Sequence, residues 1–275
     1  MPDEKNTYRM IDRETAWLAF SARVLQEAED PTVPLFERFF FCGIFSSNLD
    51  EYFRVRVASL RSLLRLGQAD IDTLGISPHR LLHEIHRIVL AQQERYGAIL
   101  AGLVRELAAA GIAVVGADEV ASAHDAFLRD FFREEVVPLL DAVPLDGDGG
   151  TPFLRNHQVY LAVELWEGDA ALLTSWTPSY YVVRVPSDVL PRFVTLPSRG
   201  DVREVMFLDD VIRYNLGSLF PGREVGRAYA VKLTRDAELY IEDEFEGDMV
   251  EAIRTSLGKR ETGVPSRFLY DMRAP

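Results

Sequence analysis

One cysteine in 275 residues, Cys42, leaves no partner for an intrachain disulfide, which fits a reducing cytosol. Phe39, Phe40 and Phe41 stand beside it and predict a buried, inert thiol. No apolar run reaches membrane-spanning length, because Arg38, Asp50 and Arg54 interrupt the greasiest stretch, Leu35 to Val57. Met1 to Asp12 are charged and lack the apolar core of a secretion signal. These absences point to the cytoplasm. Basic residues are the other scarcity: 30 against 43 acidic ones, a net charge of −13. The deficit is uneven, with 13 basic and 15 acidic side chains before Ile112, and 17 and 28 from there on. Such an acidic sheath disfavours nucleic acid and anionic lipid, so any polyanion must be met by local basic clusters.

The common catalytic signatures are missing as well. The chain has no Gly-x-x-x-x-Gly-Lys-Ser/Thr loop, no Gly-x-Gly-x-x-Gly after a strand and no Gly-x-Ser-x-Gly elbow. His83-Glu84-Ile85-His86 misses the spacing of a His-Glu-x-x-His zinc helix.

What is present is a globular composition, 48% apolar and 27% charged, with a change of texture near residue 111. Residues 1–111 predict an all-α unit. Trp17, Leu18, Ser21, Val24, Leu25 and Ala28 recur at helical spacing until Asp30-Pro31. A second helical stretch runs from Pro34 to about Leu66, and its Ser47 and Asp50 either cap a new helix or form a polar break on a continuing one. From Pro78, the stripe Leu82, Ile85, Val89, Gln92, Tyr96, Ile99, Leu103 and Leu107 predicts a long third helix stopped by Gly111. The expected architecture is an antiparallel helical layer with the first helix packed across it.

Residues 112–275 predict a mixed α+β unit, making the whole chain α+β. Strands are expected at Ile112–Val115, Val159–Leu165, Tyr180–Val185, Arg203–Phe207 and Glu224–Thr234. Helices are expected at Ser122–Leu140, capped by Ser122 and Asp125, at Leu208–Leu219 and at Asp248–Leu257. Arg267 to Tyr270 reads as the start of a further strand, so this unit is expected to be truncated at its C-terminal end.

Four constellations carry potential chemistry. His79, His83 and His86 fall within about 60° on one helical face, but without a carboxylate or fourth ligand they read as a solvated face rather than a metal site. Arg54, Arg61 and Arg65, with Arg56 nearby, follow seven- and four-residue steps. Guanidinium binds phosphate in a bidentate, permanently charged way, so they suit a polyphosphate or nucleotide; ordinary solvation and pairing with Asp50 or Glu51 is the competing explanation. In Ser46-Ser47-Asn48-Leu49-Asp50-Glu51, capping accounts for Ser47 and Asp50 but not for Asn48, whose amide offers both a donor and an acceptor. The acidic series Glu238, Glu242, Asp243, Glu244, Glu246, Asp248 and Glu251 reads as a solvated hairpin and helix start, not a magnesium site.

Several of these residues lie in ordered blocks that resemble the long, histidine-phosphorylating polyphosphate kinases. Arg13-Glu14-Thr15-Ala16-Trp17-Leu18-Ala19-Phe20-Ser21-Ala22-Arg23-Val24-Leu25-Gln26-Glu27-Ala28 is similar to their opening, with Thr15-Ala16 in place of Leu-Ser and Ser21 in place of Asn. Pro34 to Arg38, Ile44 to Phe53 and Val55-Arg56 continue in register. Tyr160 to Val163, Val185 to Ser187, Leu190 to Val194 and Thr234 to Glu238 resemble the head domain.

The resemblance implies reversible transfer of the terminal phosphate of ATP to polyphosphate through a phosphohistidine, with magnesium. It implies that Asn48 contacts the nucleotide and that the head domain forms a homodimer. It places the phosphorylated histidine and the main phosphate-binding arginines in later domains, so no catalytic residue or metal ligand is expected here and the chain alone is expected to be inactive. A cytoplasmic enzyme is implied, or one held peripherally at the inner membrane in a complex. The alternative is a free-standing binding or regulatory module that kept these domains and lost catalysis; the reading frame beyond Pro275 separates the two.

Overall fold

The computed structural model describes residues 12–64, 77–145, 152–167, 177–198, 200–236 and 263–274. The chain divides into two compact units, Met1–Glu106 and Leu107–Pro275.

The first unit is helical. Helix α1 spans Arg13–Glu29, and the Asp12 carboxylate caps it by accepting from the backbone N–H of Glu14 at 2.8 Å and Thr15 at 3.3 Å. Its buried row is Leu18, Ser21, Leu25 and Ala28, the one-sided helical spacing expected. Helix α2 spans Leu35–Glu51, passes into a π-helical stretch at Tyr52–Val57 and resumes as α3 at Ala58–Leu63. Helix α4, Pro78–Ala109, has 32 residues, about 48 Å of rise. Gly111 ends this segment at φ 86°, a left-handed conformation that glycine adopts without a side-chain clash.

Side-chain contacts fix how these helices pack. Phe45 stacks on Tyr96 with centroids 5.5 Å apart, while Arg38 near the start of α2 meets Glu106 near the end of α4 at 2.7 Å. Helices α2 and α4 are therefore antiparallel. Helix α1 crosses α4: the Gln92 amide donates to the Leu18 carbonyl at 2.8 Å, and Arg95 pairs with Glu29 a full eleven residues further along α1. Leu18, Leu25, Cys42, Phe45, Leu49, Ile85, Val89 and Leu103 form the dry centre.

The second unit combines two sheets with helices. Strand β1, Ile112–Val115, pairs in parallel with β6, Arg203–Phe207, which pairs antiparallel with β5, Phe193–Thr195. The larger sheet is antiparallel throughout, in the order β2 (Ala142–Pro144), β4 (Thr177–Arg184), β3 (Val159–Glu167), β7 (Glu224–Arg235) and β8 (Pro265–Tyr270). One face, Leu161, Val163, Leu165 and Val183, packs on Leu128, Phe132, Val136, Met206, Val211 and Ile212. The last group comes from β6, from helix α5 (Asp125–Phe131) with the π turn that follows it, and from α6 (Leu208–Tyr214). Helix α7, Leu216–Leu219, follows α6 after a break at Asn215.

Several local expectations need correction. The segment expected as one capped helix from Ser122 to Leu140 is a 3-10 turn at Ser122–His124, then α5, a π turn at Phe132–Val136 and a 3-10 turn at Val137–Leu139. No Ser122 cap forms, and Pro138, which has no N–H to donate, sits where the regular ladder has already ended. Strands β2 and β5 went unread because three residues are too few to show alternation. The helix expected at Asp248–Leu257 lies outside the described residues.

Candidate functional site

The polar block of α2 is the feature that core packing explains least. The Ser47–Asp50 pattern does not start a helix, since the chain stays helical from Leu35 through Leu63 and neither the π stretch nor α3 has a side-chain cap. Of the two alternatives, the polar break on a continuing helix is the one realised. Capping thus no longer accounts for the block. The i→i+5 turn begins one helical turn after Asn48, whose carbonyl accepts from the Tyr52 N–H. Such π insertions within α-helices occur frequently at functional sites.

Helix α2 has two faces with opposite surroundings. Arg38, Cys42, Phe45 and Leu49 are buried. Burial pushes the Cys42 thiol above its ordinary range, with the Arg38 charge opposing only in part. On the outer side, Phe36, Phe40 and Ile44 recur every four residues with 64%, 72% and 41% of their surface exposed. Asn48 is the next residue in that four-residue series, half-buried, and among the described residues its carboxamide makes no hydrogen bond. An apolar row ending in an unpaired amide can cover the flat face of a ligand and read its polar edge. Sequence reasoning missed this row because phenylalanine and isoleucine at helical spacing look like core. The available signal was that Phe36, Phe40 and Ile44 fall beside, not within, the Cys42–Phe45–Leu49 stripe.

The arginines separate. Arg56 turns toward α1, where it meets Glu14 at 3.1 Å. Trp17 and Tyr52 stack close by at 4.7 Å, and burial, followed by the Glu14 charge, raises the Tyr52 phenol well above its usual value. Arg54 is partly buried and reaches Glu51 at 3.5 Å; its Nε is buried without a hydrogen bond among the described residues. Arg61 is exposed on α3. The α-helical arithmetic that put Arg54 and Arg61 on one side is not preserved, because the π stretch between them rotates less per residue. Arg65 lies outside the described residues.

His79, His83 and His86 are exposed on α4, and no group of three or more His, Cys, Asp or Glu among the described residues could hold a metal ion. The acidic series from Glu238 to Glu251 lies outside those residues. In the second unit, a hollow of about 820 Å³ has Asp210, Arg213 and Arg273 on its wall. Its charges answer one another: Arg213 pairs with Asp209 and Asp210, and Arg273 with Asp271 at 2.8 Å. No helix among the described residues is long and apolar enough to cross a membrane.

Comparison with known proteins identifies the class first. The fold, a helical unit followed by an α+β unit, is similar over 98% of this chain to the crystal structure of polyphosphate kinase from Porphyromonas gingivalis. The TM-score is 0.78 and the identity 34%, over 36% of that longer chain. Residues 10–115 match the polyphosphate kinase N-terminal domain and residues 123–275 the polyphosphate kinase middle domain. The chain therefore belongs to the polyphosphate kinase family. It is 35% identical over 271 residues to the polyphosphate kinase of Vibrio parahaemolyticus and 33% identical over 273 residues to that of Escherichia coli K12. In each case the match covers 96% of this chain and 38% of the relative's length.

Proposed function

We propose that this chain supplies the nucleotide-facing rim and the pairing unit of a polyphosphate kinase, an enzyme that moves the terminal phosphate of ATP reversibly onto polyphosphate through a phosphohistidine. The observation that carries the reading is the exposed row Phe36, Phe40 and Ile44 leading to the unpaired Asn48 amide. Adenine has two apolar faces and an edge that presents one donor beside one acceptor. Ile44 and Phe40 suit the face, and a carboxamide matches the edge with its own acceptor and donor. Of the three candidate arginines, Arg54 has a loose ion pair that an incoming phosphate can displace, and Arg61 and Arg65 are further candidate phosphate contacts on their place in the sequence alone.

Phosphoryl transfer needs preorganised cations around the moving group and an accessible nucleophile. His124 is sealed at 1% exposure against Glu204, and His79, His83, His86 and His157 are exposed without a surrounding cage of arginines among the described residues. The rim and pairing unit on their own are therefore inactive in this reading, which places the reaction in the cytoplasm with ATP, magnesium and polyphosphate as its small-molecule partners. Asn48→Ala in the complete enzyme is expected to raise the KM for ATP about five- to tenfold, the value of roughly one hydrogen bond, with little change in thermal stability. An unchanged KM removes the nucleotide contact. Incubation of the 275-residue chain with radiolabelled ATP is expected to leave no acid-labile phosphate on the protein, and label there overturns the assignment of the chemistry to other domains.

A further inference from the structure

Helix α2 carries a glycine that its own unit does not use. Gly43 is the middle residue of the 17 in α2, Leu35–Glu51, and is exposed. Its backbone is helical, without the positive φ that sets Gly111 apart, so no turn requires it. A Cβ built there meets nothing within 4 Å among the described residues, so no close contact within the protein requires it either. Glycine in a helix interior is destabilising relative to alanine, because it loses the most backbone freedom on folding. What remains is the space outside the helix, where glycine lets a ligand approach the backbone closely.

That space borders the row that leads to Asn48. Residues three and four apart are neighbours on a helix surface, so Phe40 and Ser47 flank Gly43 along the axis, and Ile44 stands beside it. All four are exposed and bound one lozenge of surface. No charged side chain occurs from Phe39 to Leu49, so this platform suits the uncharged base of a nucleotide and offers its phosphates nothing. Helical side chains lean toward the N-terminus and cover the turn before their own. Asn48 therefore leans over Ile44, and Ser47 over the bare backbone at Gly43. Neither side chain makes a hydrogen bond among the described residues.

A side chain at position 43 would change this surface without touching the fold. Its Cβ would stand beside Ile44 and beneath Ser47, in the layer that a flat ring occupies when it lies on the helix. Phe40 and Ile44 thus supply the apolar wall, Gly43 a floor next to it, and Ser47 and Asn48 a polar edge along one side. Helix α4 holds a comparison. Gly97 is also an exposed glycine inside a helix, and a Cβ there also meets nothing within 4 Å. Its neighbours along the axis are Glu94 and Ala101, an ordinary solvated surface. The two open glycines differ in what stands around them, not in what the fold asks of them.

We propose that Gly43 is the floor of the nucleotide platform: the base lies flat across Ile44 and the Gly43 backbone, its polar edge against the Ser47 hydroxyl and the Asn48 amide. The proposal rests on the reading of Asn48 as a nucleotide contact and extends it to the residue that sets how closely the ring approaches. Gly43→Ala and Gly97→Ala in the complete enzyme test it, since alanine at either open position is expected to raise the melting temperature. Gly43→Ala is expected to raise the KM for ATP about fivefold or more despite its greater stability, and to leave the KM for polyphosphate in the reverse direction unchanged. Gly97→Ala is expected to leave both constants at the wild-type value. An unchanged KM for ATP in Gly43→Ala, beside a raised one in Asn48→Ala, overturns the floor and leaves the nucleotide contact standing. Unchanged values in both variants overturn the floor and the nucleotide reading together. A Gly43→Ala enzyme that melts lower than wild type also overturns the proposal, because packing then requires the glycine.

Discussion

The guanidinium of Arg38 holds the Glu106 carboxylate at 2.7 Å, joining positions 68 residues apart. Its Nε also donates to the Ala28 carbonyl at 2.9 Å, so one side chain links the end of α1, the start of α2 and the end of α4. The two partners differ in exposure: the Arg38 side chain is 9% exposed and that of Glu106 50%.

Removal of either partner is therefore expected to have unequal effects. Arg38→Met strands a buried carbonyl and is predicted to destabilise the first unit by about 1–3 kcal/mol. Glu106→Gln keeps an acceptor for the Arg38 guanidinium, which also stays bonded to the Ala28 carbonyl, and is predicted to cost less than about 1 kcal/mol. Urea unfolding of the two variants checks this, and equal losses contradict it.

Cys42 gives a second test. It is 2% exposed, and burial holds its thiol above the ordinary range, so the reactive thiolate is scarce and unreachable. Iodoacetamide at neutral pH is expected to modify it at least about a hundredfold more slowly than in the urea-unfolded chain, since labelling must wait for local opening. Rapid labelling of the folded protein refutes the packing described for α2.

Gly226 gives a third. Gly226→Ala forces the Glu164 carboxylate and the Trp166 indole apart from β7. Both are side-chain ends that can move, so the expected cost is modest, about 1 kcal/mol, with a shift in fluorescence emission that a Trp166→Phe background removes. A shift that persists without Trp166 places the strain elsewhere.

How much of this was readable in the sequence depended on whether a local period announced it. Leu18, Ser21, Leu25 and Ala28 identified the buried face of α1, and Asp30-Pro31 its end, because sterics and spacing act within a few residues. The π stretch at Tyr52–Val57 had no such signature: an inserted i→i+5 turn is decided by packing, and it alone displaces Arg54 from the face shared with Arg61. Asn48 was identifiable as an amide that capping did not need, whereas the exposure of Phe36, Phe40 and Ile44 was not, since hydrophobicity reports what a residue prefers and not what lies opposite it. Alternation in Val159–Leu165 and Glu224–Thr234 predicted strands, but not which of their two faces packs on the core.

Asp210 carries the pH prediction. Burial raises its carboxyl, the Asp209 charge adds to this, and the neighbouring Arg213 opposes without cancelling it. The folded protein thus binds the Asp210 proton more tightly than the unfolded chain does. Its contribution to stability is full below the unfolded value, near pH 4, and is lost as pH rises through the folded one. At neutral pH the ionised group is a burden, so Asp210→Asn is expected to melt higher than wild type at pH 7, with Asp209 still available to Arg213. The two melting curves should converge as pH falls below about 4, where both proteins are neutral at this position. A variant that melts lower than wild type at pH 7 shows that the Arg213 ion pair outweighs burial, and reverses the sign argued here.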